Sequence, residues 1–246
     1  MDQMLYLSMT GTQHIMLAQQ NNSHNLANAN TVGFKADLDA FRSLPMYGPG
    51  HPTRVFVEDT QYGYDFGGGG LLHTGRDLDV AIADQGWIAV QAADGAEAYT
   101  RRGDLRVDQT GLLRNGAGDL ILGDGGPITI PPHETLVVGR DGTISIRPLG
   151  QSATTPATVD RIRLVAPALD SLRKGEDGLF RLPPGELAQP DASVAVVGGA
   201  LESSNVNTVD ALVHMIELAR AFESQVKLMD VTERNDEASA SVMSIS

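Results

Sequence analysis

Apolar positions along the chain follow two different periods, in three stretches. From about residue 3 to 29 there is no Pro, and Gly11 is the one Gly. Leu5, Met9, Thr12, Met16, Gln19, Ser23 and Leu26 are spaced alternately by four and three, the spacing of a heptad seam. Four of these seven are apolar, which predicts a helix with a weak stripe, marginal when alone. From about 208 to 243 Gly and Pro are again absent. Leu212, Met215, Ala219, Phe222, Val226, Met229, Glu233, Asp236, Ala240 and Met243 alternate by three and four, and eight of the ten are apolar. Thr208 sits where an N-cap would, and Asp210 falls in the first turn, where a carboxylate favours the helix dipole. Such a helix spans about ten turns, roughly 50 Å at 1.5 Å per residue.

The stretch from about 48 to 205 reads differently. It is Gly-rich, and Asp94-Gly95, Asn115-Gly116, Asp124-Gly125 and Asp141-Gly142 are turn dipeptides. Between the turns lie short β-type runs: Asp79-Val80-Ala81-Ile82, Leu105-Arg106-Val107 before the turn at Asp108–Gly111, and Arg161-Ile162-Arg163-Leu164. Leu136-Val137-Val138 and Thr143-Ile144-Ser145-Ile146 flank Gly139–Gly142 and predict a hairpin. Many short strands with frequent turns indicate an all-β region.

The expectation is therefore an α+β protein. Long N- and C-terminal helices pair as a coiled coil and enclose a central all-β domain. The expected division is a discontinuous helical polymerisation domain, 1–35 with 205–246, around a β-rich domain with connectors, 36–204. The alternative is that both helices pack on the β core in one domain. If they pair apart from it, a two-helix hairpin leaves Met9, Met16, Phe222 and Met229 in need of neighbours from other copies. That is the logic of a filament subunit.

Composition narrows the function. With 246 residues the chain is long enough for a sizeable core. Its net charge of -13 opposes binding to nucleic acid and to anionic membranes. Absence of Cys removes disulfides, thiolate metal sites and Cys nucleophiles. The N-terminus has Asp2 and several interrupting polar residues, unlike a secretory signal. A cytoplasmic protein, or export without cleavage, would both fit.

Catalytic readings have simpler rivals. Gly67–Gly70 is followed by Leu71-Leu72-His73 instead of the Lys of a phosphate loop, so it reads as a flexible connector. His14, His24, His51, His73, His133 and His214 are scattered without ligand spacing, and no metal or cofactor is expected. Asp77, Asp79 and Asp84 form a carboxylate cluster, with Asp77 and Asp79 on one side of a strand. This would suit acid–base chemistry or calcium, and turn or strand-edge Asp equally. Trp87 reads as a core residue.

Asn25-Leu26-Ala27-Asn28, continuing to Thr31-Val32-Gly33-Phe34-Lys35, resembles the signature of the flagellar basal-body rod and hook family. Gly33 would permit a positive φ where the helix gives way to an extended segment. Two further blocks look like the family's. One is Asp77–Ile82, Gly86-Trp87, Tyr99–Gly103, Asp108 and Gly111–Leu113. The other is Leu201–Val206, with Ser204, Asn205 and Val206, followed by Met215-Ile216 and Arg220–Glu223. Hook proteins are usually much longer. Distal rod proteins often carry a Phe pair where Trp87-Ile88 occur, and commonly a Glu at the position of Ala211. Those departures, the opening Met-Asp-x-x-Leu-Tyr and the ending Met243–Ser246 resemble the proximal rod members; a distal rod protein is the alternative.

The resemblance implies a structural, non-enzymatic subunit of the rod. It would leave the cytoplasm through the flagellar type III export apparatus without a cleaved signal peptide. It would assemble in the periplasm with copies of itself and with proximal and distal rod proteins, and transmit torque. Neither nucleic acid nor a small-molecule substrate is expected. The expected polymerisation seam is Leu5, Met9, Met16, Leu26, Leu212, Met215, Ala219, Phe222, Val226 and Met229. Two rivals are a periplasmic glycan-active enzyme using Asp77 and Asp79, and a non-polymerising adaptor that uses the same helices.

Overall fold

The computed structural model describes residues 2–39, 41–45, 55–59, 63–149 and 157–244. The chain forms two compact units. One comprises Met1–Ala29, Lys35–Asp65 and Val206–Ser246; the other comprises Asn30–Phe34 and Phe66–Asn205.

The first unit holds the two α-helices found among the described residues, α1 (Asp2–Ala27) and α2 (Thr208–Ser244). The cap of α2 lies one residue before Thr208. Asn207 Oδ1 accepts the N–H groups of Val209 at 3.0 Å and Asp210 at 3.5 Å, and Asn207 Nδ2 donates to Asp210 Oδ2 at 2.7 Å. An Asn amide can satisfy the open N–H groups and the Asp210 carboxylate together; a Thr hydroxyl has no amide to offer. The helices run antiparallel. Asn22 Nδ2 donates to the Ala211 carbonyl at 2.8 Å, and the Gln225 amide lies 3.4 Å from where a Cβ on Gly11 would project.

These helices do not make the coiled coil the heptad reading predicts. The residues they bury are Ser8, Ala18 and Asn22 on α1, and Ala211, Leu218 and Thr232 on α2. Met9, Met16, Leu212 and Val226, all on the expected apolar seams, face solvent instead. A coiled coil needs large apolar knobs along its seam. Here short and polar side chains dominate the buried seam, and several of the large apolar groups turn outward. The α+β class holds, with two helices and a largely β middle.

Two small strand pairs complete this unit. Asp37–Leu38 pairs with Gly63–Tyr64, and Phe41–Pro45 pairs with Val55–Asp59, both antiparallel.

The second unit is built on a nine-stranded antiparallel sheet. Its path is Arg173–Lys174, Phe180–Arg181, Glu97–Thr100, Trp87–Gln91, Leu120–Gly123, Leu113–Arg114 and Arg106–Val107. Gly126–Pro127 adds to Leu120–Gly123, and Leu164–Val165 adds to Trp87–Gln91. A three-stranded sheet is formed by His133–Val138, Thr143–Pro148 and Ala157–Arg161. It contains the expected hairpin, with Val138 opposite Ile144 and Gly142 at φ +83. Val80–Ile82 pairs with Val196–Gly198, and Leu71–His73 with Ala200–Glu202.

The core joins Ile88, Val90, Leu105, Leu113, Ile121, Ile128, Ile144 and Ile162, all fully or almost fully buried. Central strands such as Trp87–Gln91 are covered on both faces, so they read as apolar runs without alternation. Trp87 is a core residue, as expected. Phe66 meets it edge-on at 5.9 Å between ring centroids, and Phe180 tilts against it at 4.7 Å.

The turns rest on ionised aspartates. Asp108 Oδ1 accepts from the Thr110 N–H, the Thr110 hydroxyl and the Leu112 N–H, while Oδ2 takes the Arg114 Nε–H at 2.8 Å. Asp141 receives the Thr143 amide and hydroxyl, and Asp191 receives those of Ser193. Asp177 accepts from both terminal guanidinium nitrogens, Nη1 and Nη2, of Arg181. These donors hold all four carboxyls below the usual aspartate range, led by Arg114 for Asp108, Thr143 for Asp141, Arg181 for Asp177 and Ser193 for Asp191. A depressed folded-state pKa stabilises above the unfolded value, near pH 4, and that stabilisation fades as pH falls through the folded value. The melting temperature of this unit is therefore expected to fall between about pH 4 and pH 2, and Asp108→Asn to flatten the slope. Thermal melts across that range check it; identical slopes for the two proteins would refute the assignment.

Candidate assembly interface

Outside its short buried contact, the helical pair presents large apolar side chains to solvent. Met9 is 64% exposed and Met16 58%, while Ile216 is 55% and Val226 42% exposed. Of the other expected seam residues, Leu212 and Ala219 are exposed and Leu26, Met215, Phe222 and Met229 are half-buried. Leu5 lies outside the residues whose side chains are described.

The heptad reading missed several exposed groups. Val209, Val213 and Ile216 join Leu212 of the expected seam in an i, i+3, i+4, i+7 pattern, so the four share one face of the first turns of α2. Tyr6 and Val231 are exposed as well. A seam drawn as a single line selects one residue per turn and overlooks a broad stripe; a count at i+3 and i+4 together would have found it.

The Asn-rich stretch closes the end of α1. Asn25 grips the backbone of Asp37 from both sides, donating from Nδ2 to its carbonyl at 2.8 Å and accepting its N–H on Oδ1 at 2.9 Å. His24 Nδ1 lies 2.7 Å from the Asp37 carboxylate. Asn28 donates from Nδ2 to the His24 carbonyl at 2.9 Å, which satisfies a last-turn acceptor of the helix. Leu26 is half-buried and Ala27 exposed, and Lys35 is buried.

The remaining motif residues lie where the chain enters and leaves the β unit, all within that unit except Val206. Thr31 accepts the Phe34 N–H at 3.3 Å, a tight turn centred on Val32 and Gly33. Gly33 has φ +67, the positive value expected. Its N–H donates to the Glu202 carbonyl at 2.8 Å, and the Asn205 N–H to the Phe34 carbonyl at 3.4 Å. Lys174 Nζ sits 4.0 Å over the Phe34 ring, a cation–π contact. Ser204 is buried, Val206 half-buried, and Asn205 Nδ2 donates to the Gly67 carbonyl at 3.3 Å.

Of the four glycines expected to form a flexible connector, Gly67, Gly68 and Gly70 are exposed, and Gly69 is packed against the returning chain. The Ser203 N–H donates to the Gly70 carbonyl at 2.8 Å, and a Cβ on Gly69 would lie 1.9 Å from the Ser203 carbonyl oxygen. Gly69 is required there because backbone lies against backbone.

The carboxylate cluster does not assemble. Asp77 sits exposed in a turn, and Asp84 is exposed. Asp79 is buried, accepts the Thr74 hydroxyl at 2.6 Å and pairs with Arg76 at 3.0 Å. An ion-paired carboxylate spent on holding a turn is scaffold. Among the described residues no group of three or more His, Asp or Glu could hold a metal ion, and no helix is long and apolar enough to cross a membrane.

A β body whose ionisable groups are occupied in turns, joined to a helical pair with outward apolar faces, defines a structural protein. Comparison with known proteins agrees. Residues 197–242 match a family described as the flagellar basal body rod FlgEFG protein C-terminal region, and residues 81–146 match the flagellar hook protein FlgE/F/G D1 domain. The flagellar basal-body rod protein FlgF of Escherichia coli is 39% identical over the full length of both chains, and that of Salmonella typhimurium is likewise 39% identical. FlgF of Caulobacter vibrioides is 35% identical, with 94% of each chain covered. The chain belongs to the flagellar basal-body rod protein family, as the motif resemblance indicated. It is a structural subunit of the proximal rod in the flagellar basal body, and not an enzyme.

Proposed function

We propose that this subunit polymerises through its terminal helices into the axial tube that transmits torque. The observation that carries this reading is the apolar stripe Val209, Leu212, Val213 and Ile216, continued by Val226, together with Met9 and Met16 of α1. Large apolar groups gathered on one face of a helix are covered in a working assembly. In this reading the occupants are copies of the same chain and neighbouring proximal and distal rod proteins, and residues 1–35 with 205–246 act as one polymerisation domain. The flagellar type III apparatus exports the chain without a cleaved signal peptide, and assembly takes place in the periplasm. Its net charge of -13 opposes association before that point.

Ile216→Asp and Val226→Asp test the reading. Both side chains face solvent in the single chain, so helix content and Trp87 fluorescence are expected to stay unchanged. Rod incorporation and swimming are expected to be lost, because each variant would bury an unpaired carboxylate in the assembly. Normal rods in both variants would sink the proposal.

A further inference from the structure

Arg101 and Glu202 form a charged pair buried in the β unit, with Nη1 to Oε2 at 3.0 Å. Arg101 is 7% exposed and Glu202 2%. Through side-chain and main-chain atoms together, the two residues touch every segment by which the chain enters or leaves this unit: the carboxylate reaches 66–70, and the two backbones meet 30–34. Glu202 Oε1 accepts the N–H of Gly69 at 3.0 Å, and its carbonyl accepts the N–H of Gly33 at 2.8 Å. The backbone of Arg101 lies directly against Gly33: a Cβ there would stand 2.4 Å from the Arg101 carbonyl carbon. Arg101 Nη2 donates to the Asp84 carbonyl at 2.8 Å, and the guanidinium lies 5.5 Å from the Trp87 ring centroid. So the pair ties 30–34, 66–70 and 201–205 to the core at one point.

Its energetics suit a positioning role. Burying two charges costs much of what their attraction returns, and a shape-matched apolar pair in their place is often neutral or stabilising. Arg101 Nε is also buried without a hydrogen-bond partner, which lowers the return further. What an apolar pair could not supply is direction. Oε1 selects the Gly69 amide, Oε2 selects Arg101, and no shift of one residue along 66–70 preserves both.

We propose that Arg101 and Glu202 are a latch that sets the register of the three segments where the chain passes between its two units, and so are positioning residues for assembly. This rests on the reading that the terminal helices assemble the rod. The latch contributes specificity of register while the core strands contribute stability.

The test uses the full-length protein and the double variant Arg101→Met with Glu202→Leu, which removes both charges at similar volume. Its thermal midpoint is expected to stay near wild type. Amide exchange at Gly33, Gly69 and Ser203 is expected to rise about 100-fold, the exchange equivalent of about 3 kcal/mol. Exchange in Trp87–Gln91 is expected to stay unchanged, and swimming of the complemented cells to be lost. Glu202→Gln, which leaves the guanidinium buried and unpaired, is expected to lower the midpoint as well. Unchanged exchange at the three amides in the double variant would overturn the latch. So would a loss of protection spread evenly over the core, since the pair would then be a stabilising element. Faster exchange with normal swimming would overturn its role in assembly. Failure of the assembly reading is seen separately, as normal rods from Ile216→Asp, which leaves the latch intact.

Discussion

Gly33→Ala is expected to destabilise the β unit by about 3 kcal/mol or more. Two effects add at this position. The backbone stands at φ +67, where an L side chain costs about 1–2 kcal/mol. The added Cβ would also lie 2.4 Å from the Arg101 carbonyl carbon, 2.5 Å from its oxygen and 2.6 Å from the Arg102 nitrogen. These are main-chain atoms directly after the Glu97–Thr100 strand, with no flexible end to swing aside. Relief requires the 30–34 turn to lift away and break the Gly33–Glu202 hydrogen bond. Gly75 provides the control. Its φ is +71, yet nothing lies within 4 Å of a Cβ built there. Gly75→Ala should therefore cost about 1 kcal/mol, the backbone conformation alone. Urea unfolding followed through Trp87 reads this unit specifically, because it is the one tryptophan in the chain and is buried in the core. Equal losses for the two variants would show that the close approach to Arg101 carries no energy.

Hydrogen exchange on the unassembled full-length chain is expected to separate the units by about a thousand-fold or more. Amides of Ile88, Val90 and Ile121 lie in central strands among fully buried side chains, and open only with the whole unit. The helical pair has far less to hold it. Among the described residues its buried groups are chiefly Ser8, Ala18, Asn22, Ala211, Leu218 and Thr232, of which Leu218 alone is large and apolar. A seam of that composition returns little against the cost of ordering two long helices. Fast exchange in 1–30 and 208–246, slowing once the rod forms, is the expected result. It would mean that neighbours supply the missing burial, and that the ends of the unassembled chain are loose. Equal protection at both ends and in the core would instead mean that finished helices dock.

Much of this was legible in the chain. Both helices were readable because Gly and Pro are missing over 208–243, and Gly11 is the sole interruption over 3–29. The hairpin at Gly139–Gly142 was readable because its turn chemistry and its alternating strands agree. Gly33 was legible too: a Gly a few residues past an Asn-rich helix end has few other uses. The apolar stripe of α2 was half legible, since Leu212 and Val226 lie on the seam, whereas Val209, Val213 and Ile216 needed a wider face. Periodicity reports that a face is apolar, not what covers it. Thus Met9, Met16, Leu212 and Val226, which helped predict a coiled coil, face outward, while Leu26, Met215, Phe222 and Met229 are half-buried.

Local pattern decided the element types, the turns and the family, because these depend on neighbours a few positions apart. Pairings across long separations were beyond it. Nothing near Arg101 signals Glu202, a hundred and one positions away, and nothing in Gly67–Gly70 signals that Ser203 will lie against it. Nor could spacing say that α1 and α2 would meet through Ser, Ala, Asn and Thr. That choice belongs to the tertiary structure, because how closely two backbones approach depends on the size of side chains from both at once.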